Sequence, residues 1–235
     1  MKRLLSLGAV SLAAVALAGC GVLEPDSVDS ADSVDSTDSV ESNTDVSSEQ
    51  VDAVADAEPG DCLPQEVVSS DPEVFEVDCS SPEAYWTITA IDGDTDATAA
   101  LGDLTDHQHA FDLCGDEVGA LLPGKPLTDW NMIYDQISGE VDYLFCIEAL
   151  TEPDDEGRVA VVPAAGDCFA SSDAEWSTLP CDSALADYSV VDVVELELAE
   201  HDQADLDAAA VGCGDSAYYE LTDLFGRTSA LLCIE

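Results

Sequence analysis

The apolar and polar residues of this chain divide it into an apolar start, a polar repeat and a long mixed region. Residues 4–17 are mostly apolar, and residues 26–43 read DSVDSADSVDSTDSVESN, a three-residue repeat of acid, serine and a small or β-branched residue. A period of three matches neither a helix nor a strand, and neighbouring acids repel one another. We therefore expect residues 20–59 to form a disordered Asp/Ser-rich linker.

In the mixed region, the hydrophobic pattern changes twice from strand-like to helix-like and back. Residues 84–91 (AYWTITAI) and 187–198 (DYSVVDVVELEL) alternate in part and are rich in β-branched residues, which is typical of strands. Ala and Leu at helical spacing predict a helix around Cys114 and another around Cys213. The expected fold class is α+β, with the order β–β–α–β in each half. The predicted helical segments are 97–122 and 202–225, and the predicted closing strands are 141–150 and 227–235.

The two halves of the mixed region carry the same motifs in the same order. This predicts an internal duplication. Residues 60–150 would form the first small domain, residues 151–165 a linker, and residues 166–235 the second domain. The matching segments are GDC at 60–62 and 166–168, the surroundings of Cys79 and Cys181, CGD at 114–116 and 213–215, and LFCIE at 144–148 against LLCIE at 231–235.

The eight cysteines of the mixed region fall into two groups of four. Zinc ribbons use paired C-x-x-C knuckles, and this chain has none, so we interpret the cysteines as disulfide staples of two small cores. Four cysteines allow three connectivities in each half, and we favour sequential pairing because the short first loop suits a bridge between adjacent strands. The expected pairs are Cys62–Cys79, Cys114–Cys146, Cys168–Cys181 and Cys213–Cys233.

A ninth cysteine, Cys20, has different surroundings. Lys2 and Arg3 precede the apolar run, which ends in Leu-Ala-Gly-Cys at residues 17–20. The segment resembles a bacterial lipoprotein signal, and the resemblance implies that residues 1–19 are removed and that Cys20 is acylated. The chain would then sit on the extracytoplasmic face of the cell membrane, held by its lipid. The alternatives are a plain secretory signal with an accidental cysteine, or a retained transmembrane anchor.

The cysteine environments also resemble a family. GDCLPQEVV (60–68), DCSSPEAYWTI (78–88) and YLFCIE (143–148) look like the actinobacterial septum-formation domain and the related LppU-type lipoprotein domain, and the second half repeats the likeness more loosely. One departure is Glu83 after Pro82, where the family usually has histidine. The resemblance implies an association with the cell envelope or septum and no particular mechanism.

The charge of the chain restricts its partners. It has 5 Lys plus Arg against 52 Asp plus Glu, a formal net charge of −47. Nucleic acid and anionic lipid surfaces would both be repelled, so we expect no nucleic-acid partner and membrane attachment only through the lipid. The acidity is consistent with a saline habitat and also with cation collection, and the sequence does not separate the two.

Candidate chemistry in the chain is sparse. We find no motif of hydrolases, metallopeptidases or phosphate-binding loops, and we expect no catalytic residue and no cofactor. Asp92, Asp94 and Asp96 occupy the first three ligand positions of an EF-hand-like loop, but Ala97 replaces the required glycine, so they are weak metal candidates. The aromatic residues suit either core packing or a sugar-stacking face, with Trp130 the best exposed candidate, since its segment has no evident counterpart in the second half. These residues are Tyr85, Trp86, Trp130, Trp176 and Tyr188.

Together these patterns predict a lipid-anchored, non-enzymatic envelope protein with two disulfide-bonded domains. Its partner would be an envelope protein or a component of the cell wall. The alternative is a lipoprotein that binds a divalent cation or a solute.

Overall fold

The structure, a computed structural model, describes residues 48–67, 72–172 and 176–235. Within these ranges the fold combines helix and sheet, with ten strands and three short α-helices. Residues 1–47, with the predicted signal, Cys20 and most of the predicted linker, lie outside them. The elements are α1 Ser48–Ala55, β1 Cys62–Pro64, a 3₁₀ helix Pro72–Glu76, β2 Ala84–Asp92, β3 Ala99–Ala100, β4 Asp103–Leu104, α2 Gln108–Cys114, β5 Thr128–Tyr134, β6 Val141–Ala149, β7 Cys168–Phe169, β8 Tyr188–Ala199, α3 Gln203–Ala209, a 3₁₀ helix Ala210–Cys213, β9 Ala217–Thr222 and β10 Thr228–Ile234.

Two four-stranded antiparallel sheets form the framework. The first sheet has the order β1-β2-β6-β5, and the second has the order β7-β8-β10-β9. The two sheets have the same topology when the small β3–β4 hairpin is left aside. In each half the second strand lies between the first and the fourth, and the third strand lies at the edge beside the fourth. Equivalent positions also correspond in register, because Cys146 lies opposite Trp130 and Cys233 lies opposite Tyr218.

The four predicted strands are confirmed, and the two predicted helices are wrong in extent. In the first half the predicted helix is a hairpin, β3–β4, followed by α2, which ends at Gly115 with φ of +92°. In the second half the predicted helix stops before Gly214, and β9 follows, paired along its length with β10. Each half is therefore β–β–α–β–β, because backbone pairing to the closing strand outweighs the helical spacing of its Ala and Leu residues.

Both predicted linkers contain ordered residues. The disordered linker was expected to reach residue 59, but α1 spans Ser48–Ala55, and Val54 is fully buried against Leu63 and Phe145. Residues 151–165 were expected to join two separate domains, but Ala160 and Val162 lie in the core. Burial of apolar side chains stabilises both segments in place, at about 25 cal/mol per Å² of apolar surface.

One hydrophobic cluster is shared between the halves. Leu127 and Ala149 come from the first half, and Phe169, Leu221 and Leu232 come from the second. The described residues belong to one compact unit rather than to two separate ones. The sheets therefore stabilise each other through this cluster, while three further clusters each lie within one half.

All four expected disulfides are present. The pairs are Cys62–Cys79, Cys114–Cys146, Cys168–Cys181 and Cys213–Cys233, with Cα–Cα distances of 5.1 to 5.4 Å. In each half the second bridge ties the helical segment to the closing strand, β6 or β10. A closed loop of about 20 residues restricts the unfolded chain by about 3 kcal/mol, so these bridges offset part of the charge repulsion.

Arg227 fastens the second half to the first. Its Nε donates to Asp223 Oδ2 at 2.7 Å, and its two terminal nitrogens donate to the carbonyl oxygens of Asp116 (2.7 Å) and Val118 (3.1 Å). The guanidinium also lies 5.0 Å from the ring centres of Phe111 and Phe225. The Asp223 side chain is fully buried, and Arg227 is its ion-pair partner.

Substitution of Arg227 tests this fastening. Arg227→Met keeps the aliphatic stem but leaves a buried carboxylate oxygen and two carbonyls without their donor, and we expect a loss of about 3 kcal/mol in the free energy of unfolding. Arg158→Met is the control, because that side chain is 36 % exposed and its pairing with Glu156 contributes at most about 1 kcal/mol. Urea unfolding of the oxidised protein at constant high salt measures both, and equal losses would contradict the assignment.

Candidate functional site

A large cleft lies beside the first sheet, at the end where β2 begins and β6 ends. Its volume is about 960 Å³, and three segments line it, together with Ser177. The size falls in the range of pockets that hold small ligands or a peptide segment. The segments are residues 64–66, residues 79–85 and the stretch between Leu150 and Ala160.

Most of the charged side chains that line this cleft, which we call the acidic cleft, are carboxylates. Its one guanidinium, Arg158, pairs with Glu156 at 2.6 Å and lies 3.9 Å from Asp154 Oδ2. The positive charge of Arg158 is thus paired with carboxylates of the cleft wall itself, and the remaining carboxylates give the cleft a net negative charge. Such a surface favours lysine, arginine or another cationic group. The other lining carboxylates are Glu66, Glu83, Glu152 and Asp155.

A hydrogen-bonded turn holds one wall of the acidic cleft. The side-chain hydroxyl and backbone N–H of Ser80 donate to Asp78 Oδ1 at 2.7 and 2.8 Å, and both bonds lower the pKa of Asp78. Cys79, which follows Asp78 in this turn, forms a disulfide with Cys62 of β1. The wall that carries Glu83 is therefore fixed at both the turn and the disulfide.

The three candidate metal ligands lie at the end of β2 and in the loop after it, and they line one small pocket beside α2. Asp92, Asp94 and Asp96 line a small pocket of about 240 Å³ with His109. Asp92 accepts the backbone N–H of Asp94 at 2.9 Å, and Asp96 has a 99 % exposed side chain. In the described part of the chain, no group of three or more His, Cys, Asp or Glu side chains is placed to hold a metal ion.

The loop does not have the shape of an EF-hand loop, because its second half forms a β-hairpin. The later positions of the twelve-residue motif fall on the β3–β4 hairpin, and the last one, Asp103, contacts His107 Nε2 at 3.0 Å. Asp103 does not line the pocket that the first three carboxylates share, which is consistent with the missing glycine turn.

The aromatic residues predicted for a sugar-stacking face lie in separate places. Trp130 stacks on Phe225 with ring centres 5.3 Å apart, and Tyr85 packs edge-on against Trp86 at 4.9 Å. All five predicted aromatics are half-buried. Trp130 also has a counterpart, Tyr218, at the same register position of the second sheet.

Trp176 and Tyr188 belong to an aromatic cluster in the second half. Trp176 and Tyr188 lie 5.8 and 5.5 Å from Tyr219, and each also packs against buried Phe169. The hydroxyl interaction with Tyr188, helped by burial, raises the pKa of Tyr219. These rings cover one end of the shared hydrophobic cluster.

Asp129 is an unusual carboxylate that the sequence interpretation missed. It lies on β5 in a pocket of about 320 Å³ that also contains Lys125 and the Cys114–Cys146 bridge. Burial raises its pKa, although it accepts the backbone N–H of Trp130 at 2.8 Å. The signal available in the sequence was one acid inside an otherwise strand-like run, TDWNMIY.

Asp129 makes a pH-dependent contribution to stability with a definite sign. Its pKa is raised above the ordinary 3.8, so the folded protein binds this proton more tightly than the unfolded chain. Its ionisation disfavours the fold as pH rises above about 3.8, toward neutral pH. We expect Asp129→Asn to be more stable than the native protein at pH 7, with a gain that shrinks as pH falls toward 4.

Asp78 provides the control for that experiment, because its substitution should change stability in the opposite direction. Hydrogen bonds from Ser80 lower the pKa of Asp78, so its ionised form stabilises the fold above pH 3.8, and that stability is lost as pH falls. Asp78→Asn should therefore be less stable than the native protein at pH 7. Thermal unfolding at several pH values compares the two, and a loss of stability at pH 7 for Asp129→Asn would contradict the interpretation.

Comparison with known proteins adds no relative. The chain matches no protein-family model, no curated protein and no solved structure at a significant level. Among the described residues, no helix has both the length and the apolar character needed to cross a membrane.

Proposed function

We propose that this chain is a lipid-anchored, extracytoplasmic protein of the cell envelope that binds a partner and catalyses no reaction. Its two halves are tandem copies of one disulfide-bonded domain, packed on each other. An association with the septum rests on the family resemblance alone.

The pairing of the cysteines is the observation that carries the proposal. The chain has nine cysteines, and eight of them form four bridges in the folded body. Bridges of this number persist in oxidising compartments and are rare in the cytosol. The remaining cysteine is Cys20, which stands at the lipoprotein motif, behind an export-like segment.

Support for tandem copies comes from the sheets. Both have the same order of strands, and both place a bridged cysteine, Cys146 or Cys233, on the closing strand. Support for partner binding comes from the acidic cleft, whose volume and negative lining suit a cationic segment of another molecule.

The state of the cysteines is directly measurable. In native protein isolated from the envelope, we expect mass spectrometry to find Cys20 as an acylated N-terminus and the other eight cysteines oxidised. Cys20→Ser should abolish acylation, because the thiol that would carry the lipid is gone. A native N-terminus without fatty acid, or eight reduced thiols, would contradict the proposal.

Partner binding in the acidic cleft is tested by a zero-length carbodiimide crosslinker, which joins a carboxylate to a neighbouring amine. In intact envelopes we expect products that join Glu83, Glu152 or Glu156 to lysines of one partner. The variant Glu83→Gln with Glu152→Gln should lower the yield at least fivefold.

The matched control makes the same change elsewhere. Glu195→Gln with Glu197→Gln removes two exposed carboxylates of β8 that lie outside the cleft. We expect this variant to leave the yield within twofold. Equal losses in the two variants would show that only the overall charge matters, and would remove the cleft from the proposal.

A further inference from the structure

Two large apolar side chains stand exposed at the end of the first sheet opposite to the acidic cleft. Leu101 is fully exposed and Ile137 is 74 % exposed. Leu101 lies in the turn between β3 and β4, and Ile137 lies in the turn between β5 and β6. We call this pair the apolar tip.

The two turns that carry the apolar tip are fastened side by side. Thr98 and Glu140 form an antiparallel bridge, and the N–H of Ala99 donates to the carbonyl of Gly139 at 2.8 Å. Leu101 comes three residues after Thr98, and Ile137 comes three residues before Glu140. Since the segments are antiparallel, both side chains fall at the same end of the paired segments.

The contact between the turns is close enough to require glycine. A Cβ on Gly139, which has φ of +77°, would lie 2.7 Å from the carbonyl oxygen of Ala99. The apolar tip is therefore a fixed feature, with its two hairpins held against each other.

Leu101 is unfavourable in the isolated protein for two reasons. Its φ is +57° and that of Gly102 is +89°, so this two-residue hairpin turn has positive φ at both positions. Such turns favour Asn or Asp before Gly, and the left-handed region costs a residue like leucine about 1 kcal/mol. Its side chain also buries no surface. Neither folding nor solubility accounts for leucine here.

We propose that the apolar tip is a docking element that inserts into an apolar socket edged by lysine or arginine on a partner protein. This inference rests on the proposed function, and it identifies the chemistry of the partner. Two other strongly exposed large apolar residues, Val211 and Leu224, lie on other elements.

Charge complementarity selects this occupant. Asp103, Asp135, Glu140 and Asp142 lie on the same two hairpins as the tip. Burial and the charges of Asp135 and Glu140 raise the pKa of Asp142, which shows how close these carboxylates lie to one another. Arg158 and Arg227 are engaged with Glu156 and Asp223 instead. The apolar tip therefore projects from a negative rim.

The same rim disfavours two other occupants. Anionic lipid head groups would be repelled by it, which argues against insertion of the tip into a membrane. A second copy of this chain would bring another body of net charge −47 against the first. A polypeptide with an apolar socket and a basic rim would bury the leucine and pair with the acidic side chains around it.

Site-specific photocrosslinking tests the proposal in the full, lipid-anchored chain. A benzophenone amino acid is placed at position 101, and in a matched chain at position 224, where the native leucine is 90 % exposed in the turn between β9 and β10. After illumination of intact envelopes, mass spectrometry identifies the attached molecule and the attached residue. We expect one protein partner at position 101, attached beside a Lys- or Arg-rich segment, and not at position 224.

Two changes should lower the crosslink at position 101. Ile137→Ser removes half of the apolar tip, and Glu140→Gln with Asp142→Asn removes part of the rim without changing Asp135, which accepts backbone N–H groups of the turn. We expect each to lower the yield at least fivefold. With the purified partner, Leu101→Ser should weaken the dissociation constant about tenfold, the scale for losing one buried leucine, while Leu224→Ser should change it less than twofold.

Leu101→Asn separates binding from folding. Asparagine suits the first position of this turn better than leucine, so we expect thermal stability to stay equal or rise while affinity for the partner falls at least tenfold. A fall in stability would show that Leu101 has a structural role and would overturn the proposal. Crosslinks to lipid only, to a second copy only, equally at position 224, or to nothing would also overturn it.

The outcome is distinguishable from failure of the proposed function. An acylated Cys20 and cleft crosslinks, without any product at position 101, would reject the apolar tip alone. An unacylated Cys20 would reject the membrane anchor, and the tip would still be tested by binding to the purified partner.

Discussion

The guanidinium of Arg227 is the interaction on which the arrangement of the two halves depends. Besides its ion pair with buried Asp223, it donates to two carbonyls of the segment after α2, those of Asp116 and Val118. These bonds hold that segment against the turn between β9 and β10, where Phe225 stacks on Trp130. Ser229 adds a hydrogen bond to the carbonyl of Leu121 nearby. The chain has only 5 Lys plus Arg in 235 residues, so few other side chains could supply a positive charge at the junction between the halves.

Several aspartates of this acidic chain stabilise turns by accepting hydrogen bonds from backbone N–H groups. Asp135 accepts the backbone N–H groups of Ile137 and Ser138 at 2.9 and 2.6 Å, and these bonds lower its pKa. Asp154 and Asp223 accept backbone N–H groups in the same way, each at 2.8 to 2.9 Å. A carboxylate that satisfies backbone donors in this way offsets some of the repulsion that its charge creates. Disulfides add to this, because they act on the unfolded chain and do not depend on charge.

Strands and cysteine pairs could be predicted because local sequence determines them. Alternation in 84–91 and 187–198 fixes which side chains face inward, and short spacing within each half limits which thiols meet. The extent of helices could not be predicted, because β9 is a strand only through its pairing with β10, although AYYELT comes directly after a helical run. Likewise, Val54 and Val162 are core residues through contacts with distant segments. Neither candidate surface could be predicted from the sequence. The acidic cleft joins three separated segments, and the turns that carry Leu101 and Ile137 are placed side by side by the bridge between Thr98 and Glu140.

The geometry of the first sheet keeps these two surfaces apart. β2 and β6 are each nine residues long and run antiparallel, so one end carries Ala84 and Ala149 beside the acidic cleft, and the other end leads to the turns of the apolar tip. At about 3.3 Å per residue the ends are about 30 Å apart, which exceeds the Debye length of about 8 Å at physiological salt. A charge bound in the cleft would therefore be screened from the tip, so the two proposed surfaces would bind independently of each other. Since the strands are rigid and stapled by Cys62–Cys79 and Cys114–Cys146, the spacing between the surfaces is fixed by the fold, and a single partner that spans both must match it.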